Sequence, residues 1–182
     1  QDQVYVFTPK GKIIEMPAGA TPIDFAYQIH TEVGHRCRGA KVNGRIVPLE
    51  YTLRTGDRLE ILTAKKGGPS RDWLNPGLGL VHTSRAREKI RQWFKHQERA
   101  EAIADGREVL EKELRRLGLA QSNFEDIAKL FNLKTADDFL EALGHADISI
   151  QSVSIKLLEA ERPQDFEPEL PAARPLRKAP ET

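Results

Sequence analysis

The stretch from residue 21 to residue 47, TPIDFAYQIHTEVGHRCRGAKVNGRIV, constrains the fold more than any other part of the chain. Thr21 is a favoured N-cap residue and Pro22 a favoured first residue of a helix. The apolar residues that follow fall within one helical repeat, so they suit a helix that covers a sheet. Asn43-Gly44 then lies between two short β-rich runs, which is the strongest hairpin signal in the sequence. The stretch therefore predicts a helix followed by an antiparallel hairpin.

Further β-rich runs flank this stretch on both sides. The run VYVFTP at 4–9 and the run GKIIEMP at 11–17 are separated by a turn signal and predict another antiparallel hairpin. A turn at Thr55-Gly56-Asp57 precedes a final strand, which we expect over Arg58–Leu62. Two strands, a covering helix and two or three more strands predict a small α+β grasp domain over residues 1–66.

Beyond residue 66 the pattern changes from strands to helices. Residues 67–82 contain several glycines and prolines and predict a linker. Residues 83–160 predict an all-α helical domain, whose first helix runs to Gly118. Residues 161–182 hold five prolines and many charges, so we expect a disordered C-terminal linker there. Three shorter helices of the all-α domain are expected over 123–132, 135–144 and 148–160.

The composition favours a cytoplasmic globular protein without a metal or cofactor. No apolar run approaches the roughly 18 residues of a membrane helix, and the opening QDQVYVFTPK lacks a signal-peptide pattern. A single cysteine, Cys37, excludes an internal disulfide and a cysteine-built zinc site. The five histidines lack a metal-binding spacing such as HExxH. We therefore expect no membrane association, no catalytic residue, no metal and no cofactor.

The charges are distributed unevenly along the chain. Residues 1–120 carry 21 Lys and Arg against 15 Asp and Glu, whereas residues 121–182 carry 7 against 12. A moderate positive excess in the first two thirds favours an anionic partner for that part of the chain.

Several motifs resemble those of a known family. Three segments of the chain, namely VYVFTPKG, PAGATPIDFAYQIHTEVGHRCRGAKVNGRIVPL and LRTGDRLEILT, resemble the TGS domain, a ubiquitin-like β-grasp module. The flanking segment PSRDWLNPGLGLVHTSRAREKIRQWF resembles the junction between the TGS and helical domains of long RelA/SpoT proteins. The resemblance covers residues 1 to about 160, and the intact SRDWLNP is more similar to the RelA branch.

This resemblance implies a role in the stringent response. Long family members make (p)ppGpp by transferring pyrophosphate from ATP to GDP or GTP, and some also hydrolyse it. Their active sites lie in an N-terminal half, so we expect this chain to be a non-catalytic C-terminal fragment that regulates a GTP pyrophosphokinase in cis. In RelA-type proteins the TGS domain binds the CCA end of deacylated tRNA on the ribosome. In SpoT-type proteins it is linked to acyl carrier protein. A protein-interaction module that binds acyl carrier protein or the enzyme's own catalytic half stays open as the alternative.

The resemblance gives His30 the first place in a tRNA site. From the residues alone, a histidine at the end of a helix more often caps the last carbonyls. This position, however, matches the family histidine that contacts the tRNA terminus. We expect Gly34 to end the helical segment, and His35, Arg36 and Arg38 to begin the next strand and contact RNA, with both arginines on one face. The alternative is a solvated edge with inert charges.

Other basic residues are expected to add weaker contacts. Lys41 and Arg45 would bind phosphates beside the main site. Arg85, Arg87 and Arg91 lie on the first long helix, where we expect RNA contact, although a solvated helix face is the usual explanation for such a run.

Overall fold

A computed structural model describes residues 2–161 of the chain. Their contacts form two compact units, with the division between Glu98 and Arg99. The disordered linker predicted for 161–182 lies outside the described residues, apart from Glu161.

The first unit contains both predicted hairpins. The strands β1 and β2 pair antiparallel, and β3 pairs antiparallel with both β4 and β5 in the order β4-β3-β5. Asn43 and Gly44 join β3 to β4 with φ angles of 52° and 85°, the left-handed conformation that a two-residue hairpin turn requires. The strands are β1 Gln3–Phe7, β2 Ile13–Pro17, β3 Cys37–Val42, β4 Arg45–Val47 and β5 Leu59–Thr63. The last strand thus lies one residue later than predicted.

The two sheets meet between β1 and β5. A parallel bridge joins Phe7 to Arg58, and the Phe7 N–H donates to the carbonyl oxygen of Asp57 at 2.8 Å. The helix α1, Pro22–Ile29, covers the inner side of these strands. Its Phe25 packs in a core with the buried residues Val6, Met16, Ala20, Val42, Leu53 and Leu59. This arrangement of strands and helix confirms the predicted α+β grasp domain.

The start of α1 is fixed by a buried carboxylate, Asp24, which is only 1% exposed. Asp24 Oδ2 accepts from the Thr21 N–H at 2.9 Å, which completes a capping box. The same carboxylate accepts from the His82 N–H at 3.0 Å, the Thr83 N–H at 3.0 Å and the Thr83 hydroxyl at 2.9 Å. Thr21 Oγ1 donates to the carbonyl oxygen of Leu80 at 2.7 Å. One side chain therefore joins α1 to the segment that begins the long helix.

The segment predicted as a linker packs on the grasp domain. It contains two short 3₁₀ helices that the sequence did not predict, Arg71–Leu74 and Pro76–Leu78. Trp73 is buried. It belongs to a second core that comprises Ile23, Ala26, Tyr27, Cys37, Trp73, Val81, Ala86 and Ile90. The first compact unit consequently extends well past the predicted limit of the grasp domain at residue 66.

A second helix, α2 over Thr31–His35, was not predicted. Gly34, expected to end the helical segment, lies inside it. A Cβ at Gly34 would overlap the ring of Tyr27, so glycine is what allows this backbone to lie against the ring. Tyr27 and His35 also make a hydrogen bond of 2.8 Å between the phenol oxygen and Nδ1. Contacts with Tyr27 therefore hold α2 in place.

Burial controls the protonation of this pair. Burial lowers the pKa of His35, the Glu32 carboxylate opposes that effect, and the Lys89 ammonium adds to it. Burial also raises the pKa of the Tyr27 phenol. A neutral imidazole and a protonated phenol follow, so Tyr27 donates and His35 Nδ1 accepts, which places the ring proton of His35 on Nε2.

The second unit is helical, as predicted. The helix α3 spans Ser84–Arg116 and begins in the first unit. Asn123, Thr135 and Ser149 cap the three shorter helices. A Cβ at Gly106 would overlap the carbonyl of Leu140, so the backbone of α3 is in direct contact there with the backbone of the helix that contains Leu140. The shorter helices are α4 Phe124–Leu130, α5 Ala136–Gly144 and α6 Ile150–Ala160.

The core of the second unit lies between α3 and the shorter helices. Its buried members are Leu110, Leu114, Ile127, Ala128, Phe139, Leu140, Leu143, Val153 and Leu157. None of the helices within residues 2–161 combines the length and the apolar character that crossing a membrane requires.

Replacing Asp24 with asparagine should destabilise the first unit by about 2–4 kcal/mol. The NH₂ group of the asparagine side chain would face backbone N–H donors, which in the wild type donate to the Asp24 carboxylate. The two tryptophans of the chain, Trp73 and Trp93, both lie in this unit, so fluorescence-detected denaturation measures its unfolding. Asp105→Asn, an exposed change on α3, is the matched control and should alter stability by less than about 0.5 kcal/mol. Equal effects of the two changes would contradict the anchoring role of Asp24.

His35 should make the first unit less stable in mild acid. Because the folded pKa of His35 is lowered, the unfolded chain binds its proton first as the pH falls below about 6.5. The contribution is complete above that pH and is lost progressively below it. His35→Asn keeps an acceptor for Tyr27 but does not titrate. Between pH 7.5 and 5.5 the wild type should lose more unfolding free energy than this variant, and parallel losses would refute the assignment.

Candidate nucleic-acid interface

His30 and Arg36 lie at the two ends of α2 and form the centre of the candidate site. His30 ends α1 and is the N-cap residue of α2, where its Nδ1 accepts the Glu32 N–H at 3.0 Å. The side chain thus caps the following helix, and does not cap the last carbonyls of α1. With Nδ1 occupied as an acceptor, the ring carries its proton on Nε2. Because His30 is exposed, this Nε2–H donor is available to a partner.

Arg36 is the C-cap residue of α2 and precedes the strand that it was expected to begin. Its Nε donates to the carbonyl oxygen of Glu32 at 3.3 Å. Its terminal amino groups make no hydrogen bond or ion pair with other residues in the described part of the chain. The peptide groups of Glu32 therefore orient both His30 and Arg36. The five residues of α2 lie between them, so six helical steps separate the two by about 9 Å along the helix axis.

His35 does not lie where the sequence predicted it, whereas Arg38 lies near the start of β3, as predicted, and uses most of its donors on backbone carbonyls. His35 is only 6% exposed and belongs to α2, so its role is internal support and its ring does not face a partner. Arg38 is exposed, but its Nη1 donates to the carbonyls of His35 and Cys37 at 3.2 and 2.7 Å, and its Nη2 donates to that of Gly68 at 2.9 Å. The β3 register also shifts between Cys37 and Gly39, which interrupts the expected alternation. Arg38 therefore fixes the backbone with most of its donors.

Lys41 and Arg45 are separated from the His30–Arg36 pair. Lys41 pairs with Glu60 on β5, whose neighbours Leu59 and Ile61 pack into the cores. Side chains alternate along a strand, so Lys41 lies on the outer face of the sheet, opposite α1. Arg45 pairs with Val42 at the far end of β3, about 17 Å along the strand from its start. The six residues predicted as one site do not form one cluster.

The three arginines of α3 have different surroundings. Arg87 is half-buried, and its Nη2 donates to the carbonyl oxygen of His82 at 2.6 Å, which stabilises the start of the helix. Arg85 and Arg91 are exposed and lie about 120° apart around the helix axis. These arginines therefore do not form a single basic stripe.

Two lysines that the sequence analysis passed over lie beside Arg36. The Ala64 N–H donates to the carbonyl oxygen of Arg36 at 2.8 Å, so Lys65 and Lys66 follow immediately after this contact. Both lysines are exposed. Two consecutive lysines at the end of the last strand were the available signal, but the pairing of that strand with β3 was needed to place them.

The side chains of the candidate site are of the kinds that bind a nucleic acid. Within residues 2–161 no three His, Cys, Asp or Glu side chains are close enough together to hold a metal ion. Cys37 is buried, and burial raises the pKa of its thiol to about 11. An imidazole donor and a guanidinium plane suit contacts with ribose hydroxyls, bases and phosphates.

Two domain families match the chain. The TGS domain matches residues 4–63, and the RelA/SpoT AH domain matches residues 93–158.

Curated relatives match nearly the whole chain but only a small part of their own length. The GTP pyrophosphokinase of Escherichia coli (strain K12) is 47% identical over 179 residues, which are 97% of this chain and 24% of the relative. That of Haemophilus influenzae is 49% identical over 173 residues, 91% of this chain and 23% of the relative. A probable guanosine-3′,5′-bis(diphosphate) 3′-pyrophosphohydrolase of Synechocystis is 48% identical over 162 residues, 87% of this chain and 21% of the relative.

The chain thus spans about a quarter of the length of these relatives. Its two domain matches fall on the grasp domain and on the helical domain, in the order that the sequence predicted. The chain belongs to the RelA/SpoT family, and it carries the TGS domain and the AH domain of that family.

Proposed function

We propose that this chain is a non-catalytic regulatory region of a (p)ppGpp-synthesising enzyme and senses deacylated tRNA at its CCA end. The curated relatives that match it are GTP pyrophosphokinases and a probable pyrophosphohydrolase. The observation that carries the sensing role is the His30–Arg36 pair at the ends of α2, in which His30 is exposed and Arg36 is half-buried with its terminal amino groups unbonded within residues 2–161. On this proposal the region acts in the cytoplasm, with tRNA held on the ribosome, and controls synthetase domains of the same protein.

The chemistry of the pair suits an unesterified tRNA terminus. His30 Nε2–H can donate to a free ribose hydroxyl of the terminal adenosine, and the imidazole or the Arg36 guanidinium can stack on a base. An aminoacyl ester on that ribose replaces the hydroxyl oxygen with a weaker acceptor for His30 Nε2–H and adds bulk next to His30. A site that hydrogen-bonds a hydroxyl discriminates strongly against a ligand in which that group is absent or blocked. Deacylated tRNA is therefore the preferred ligand.

The rigidity of the frame supports such discrimination. His30 is held by the Glu32 N–H, and α2 is held by the contact of Gly34 with the Tyr27 ring and by the Tyr27–His35 hydrogen bond. Side chains that are ordered before binding lose less entropy when the ligand arrives. His35 thus contributes to the proposed site as a support for α2.

Arg36 gives the proposed site its electrostatic component. Its terminal amino groups are available, and a guanidinium forms paired hydrogen bonds with phosphate. Each phosphate contact releases counterions, so affinity for tRNA should fall as the salt concentration rises. Lys41, Arg45, Arg85 and Arg91 can strengthen this long-range attraction, but their positions do not place them at the terminal nucleotide.

The test is to measure binding of the same tRNA in its deacylated and aminoacylated forms. The wild-type chain should bind the deacylated form about tenfold more tightly or better, since a weakened hydrogen bond to His30 together with the bulk of the ester costs about 1.4 kcal/mol or more. His30→Glu should weaken binding of deacylated tRNA by at least a similar factor, because it removes the donor and adds a charge that repels phosphate.

The control for this variant is His145→Glu, which makes the same change at an exposed position in the second unit. It should leave the affinity and the preference unchanged. Equal wild-type affinity for the two tRNA forms would overturn the sensing role. A chain that ignores tRNA but binds acyl carrier protein in a His30-dependent manner would support the protein-interaction alternative.

A further inference from the structure

The loop over Ala64–Gly68, named the lysine loop here, is attached at both ends to residues that follow α2. At its start, the Ala64 N–H donates to the carbonyl oxygen of Arg36 at 2.8 Å. At its end, the carbonyl oxygen of Gly68 accepts from Arg38 Nη2 at 2.9 Å. The loop therefore lies directly beside Arg36, the C-terminal member of the His30–Arg36 pair, although it is distant in sequence.

Two glycines set the path of the lysine loop. Gly67 has a φ angle of 101°, which side-chain-bearing residues rarely adopt, and a Cβ there would lie 2.9 Å from Arg38 Nη2. A Cβ at Gly68 would overlap the indole ring of Trp93 on α3. The backbone thus lies tightly against Arg38 and Trp93, and Lys65 and Lys66 are held on the outer side.

Lys65 and Lys66 are cations without a partner in the described part of the chain. Both are exposed, and neither makes a hydrogen bond or an ion pair with another residue between 2 and 161. Together with Arg36 they place three positive charges at one end of the sheet. Glu32 is the acidic residue on α2, and it is exposed. Three positive charges close together outnumber this one carboxylate, and such an excess favours an anionic ligand over the empty state.

We propose that the lysine loop binds backbone phosphates of the tRNA strand that leads away from the terminal nucleotide. This inference rests on the proposed function, since it takes His30 and Arg36 as the contact to the CCA end. Lysine presents a flexible point charge, which suits phosphates of a single strand better than a fixed fork does. Backbone contacts position a nucleic acid without reading it, so the lysine loop contributes affinity and register while His30 discriminates.

The test compares Lys65→Gln/Lys66→Gln with Lys10→Gln/Lys12→Gln in the full chain. Lys10 and Lys12 are exposed and lie in the β1–β2 loop, at the opposite end of the sheet. The length of β5, about five residues or roughly 17 Å, separates that end from the lysine loop. In a plot of log affinity against log salt concentration, loss of two phosphate contacts makes the negative slope less steep by about 1.4. Between 50 and 200 mM salt the wild type should therefore lose about sevenfold more affinity for deacylated tRNA than the Lys65/Lys66 variant does.

Three outcomes separate this inference from the proposed function. If the Lys65/Lys66 variant loses salt dependence but keeps the preference for deacylated tRNA, and the Lys10/Lys12 variant behaves as the wild type, the inference holds. If the wild type discriminates the two tRNA forms but both double variants have the same salt slope as the wild type, the inference fails and the proposed function stands. If the wild type binds neither form, both are overturned.

A variant that keeps every charge tests whether the lysines act from a fixed position. Gly68→Ala displaces the lysine loop from Trp93 without changing the net charge. It should weaken binding of deacylated tRNA severalfold while retaining the preference over aminoacylated tRNA. Unchanged affinity in a variant that melts like the wild type would show that the charges act diffusely, which contradicts a positioned phosphate contact.

Discussion

The buried carboxylate of Asp24 is the interaction on which the first unit depends. It completes the capping box of α1, and it also accepts the N–H groups and the hydroxyl that begin α3. One end of α1 is therefore anchored to the segment at His82 and Thr83, while the other end carries His30. Four charge-assisted hydrogen bonds inside a nearly inaccessible site are individually strong, and losing the acceptor would leave buried donors unpaired.

From this anchor the candidate site follows as a sequence of short-range constraints. The end of α1 leads directly into α2, and the peptide groups of Glu32 orient His30 on one side and Arg36 on the other. The Tyr27–His35 hydrogen bond joins α2 to α1. The candidate site is assembled on two short helices and a strand end and is not enclosed, an arrangement that would suit recognition of the end of a polynucleotide.

The sequence predicted the elements that depend on local signals. Asn43-Gly44 specified its hairpin, Thr21-Pro22 specified the start of α1, and helical periodicity specified α3 to α6. It did not predict α2 or the burial of His35, because both depend on Tyr27, which is eight residues from His35 in the chain. The position of Lys65 beside Arg36 likewise depends on the pairing of β5 with β3. Local sequence propensities do not predict which strands pair.

The most direct test of the sensing role is (p)ppGpp synthesis by the full-length parent protein on ribosomes that carry deacylated tRNA. His30→Glu should leave synthesis without ribosomes unchanged and should abolish the stimulation by ribosomes and deacylated tRNA, whereas His145→Glu should be stimulated like the wild type. A His30→Glu protein that folds normally and is fully stimulated would contradict the account, because the exposed imidazole at the start of α2 would then have no part in sensing.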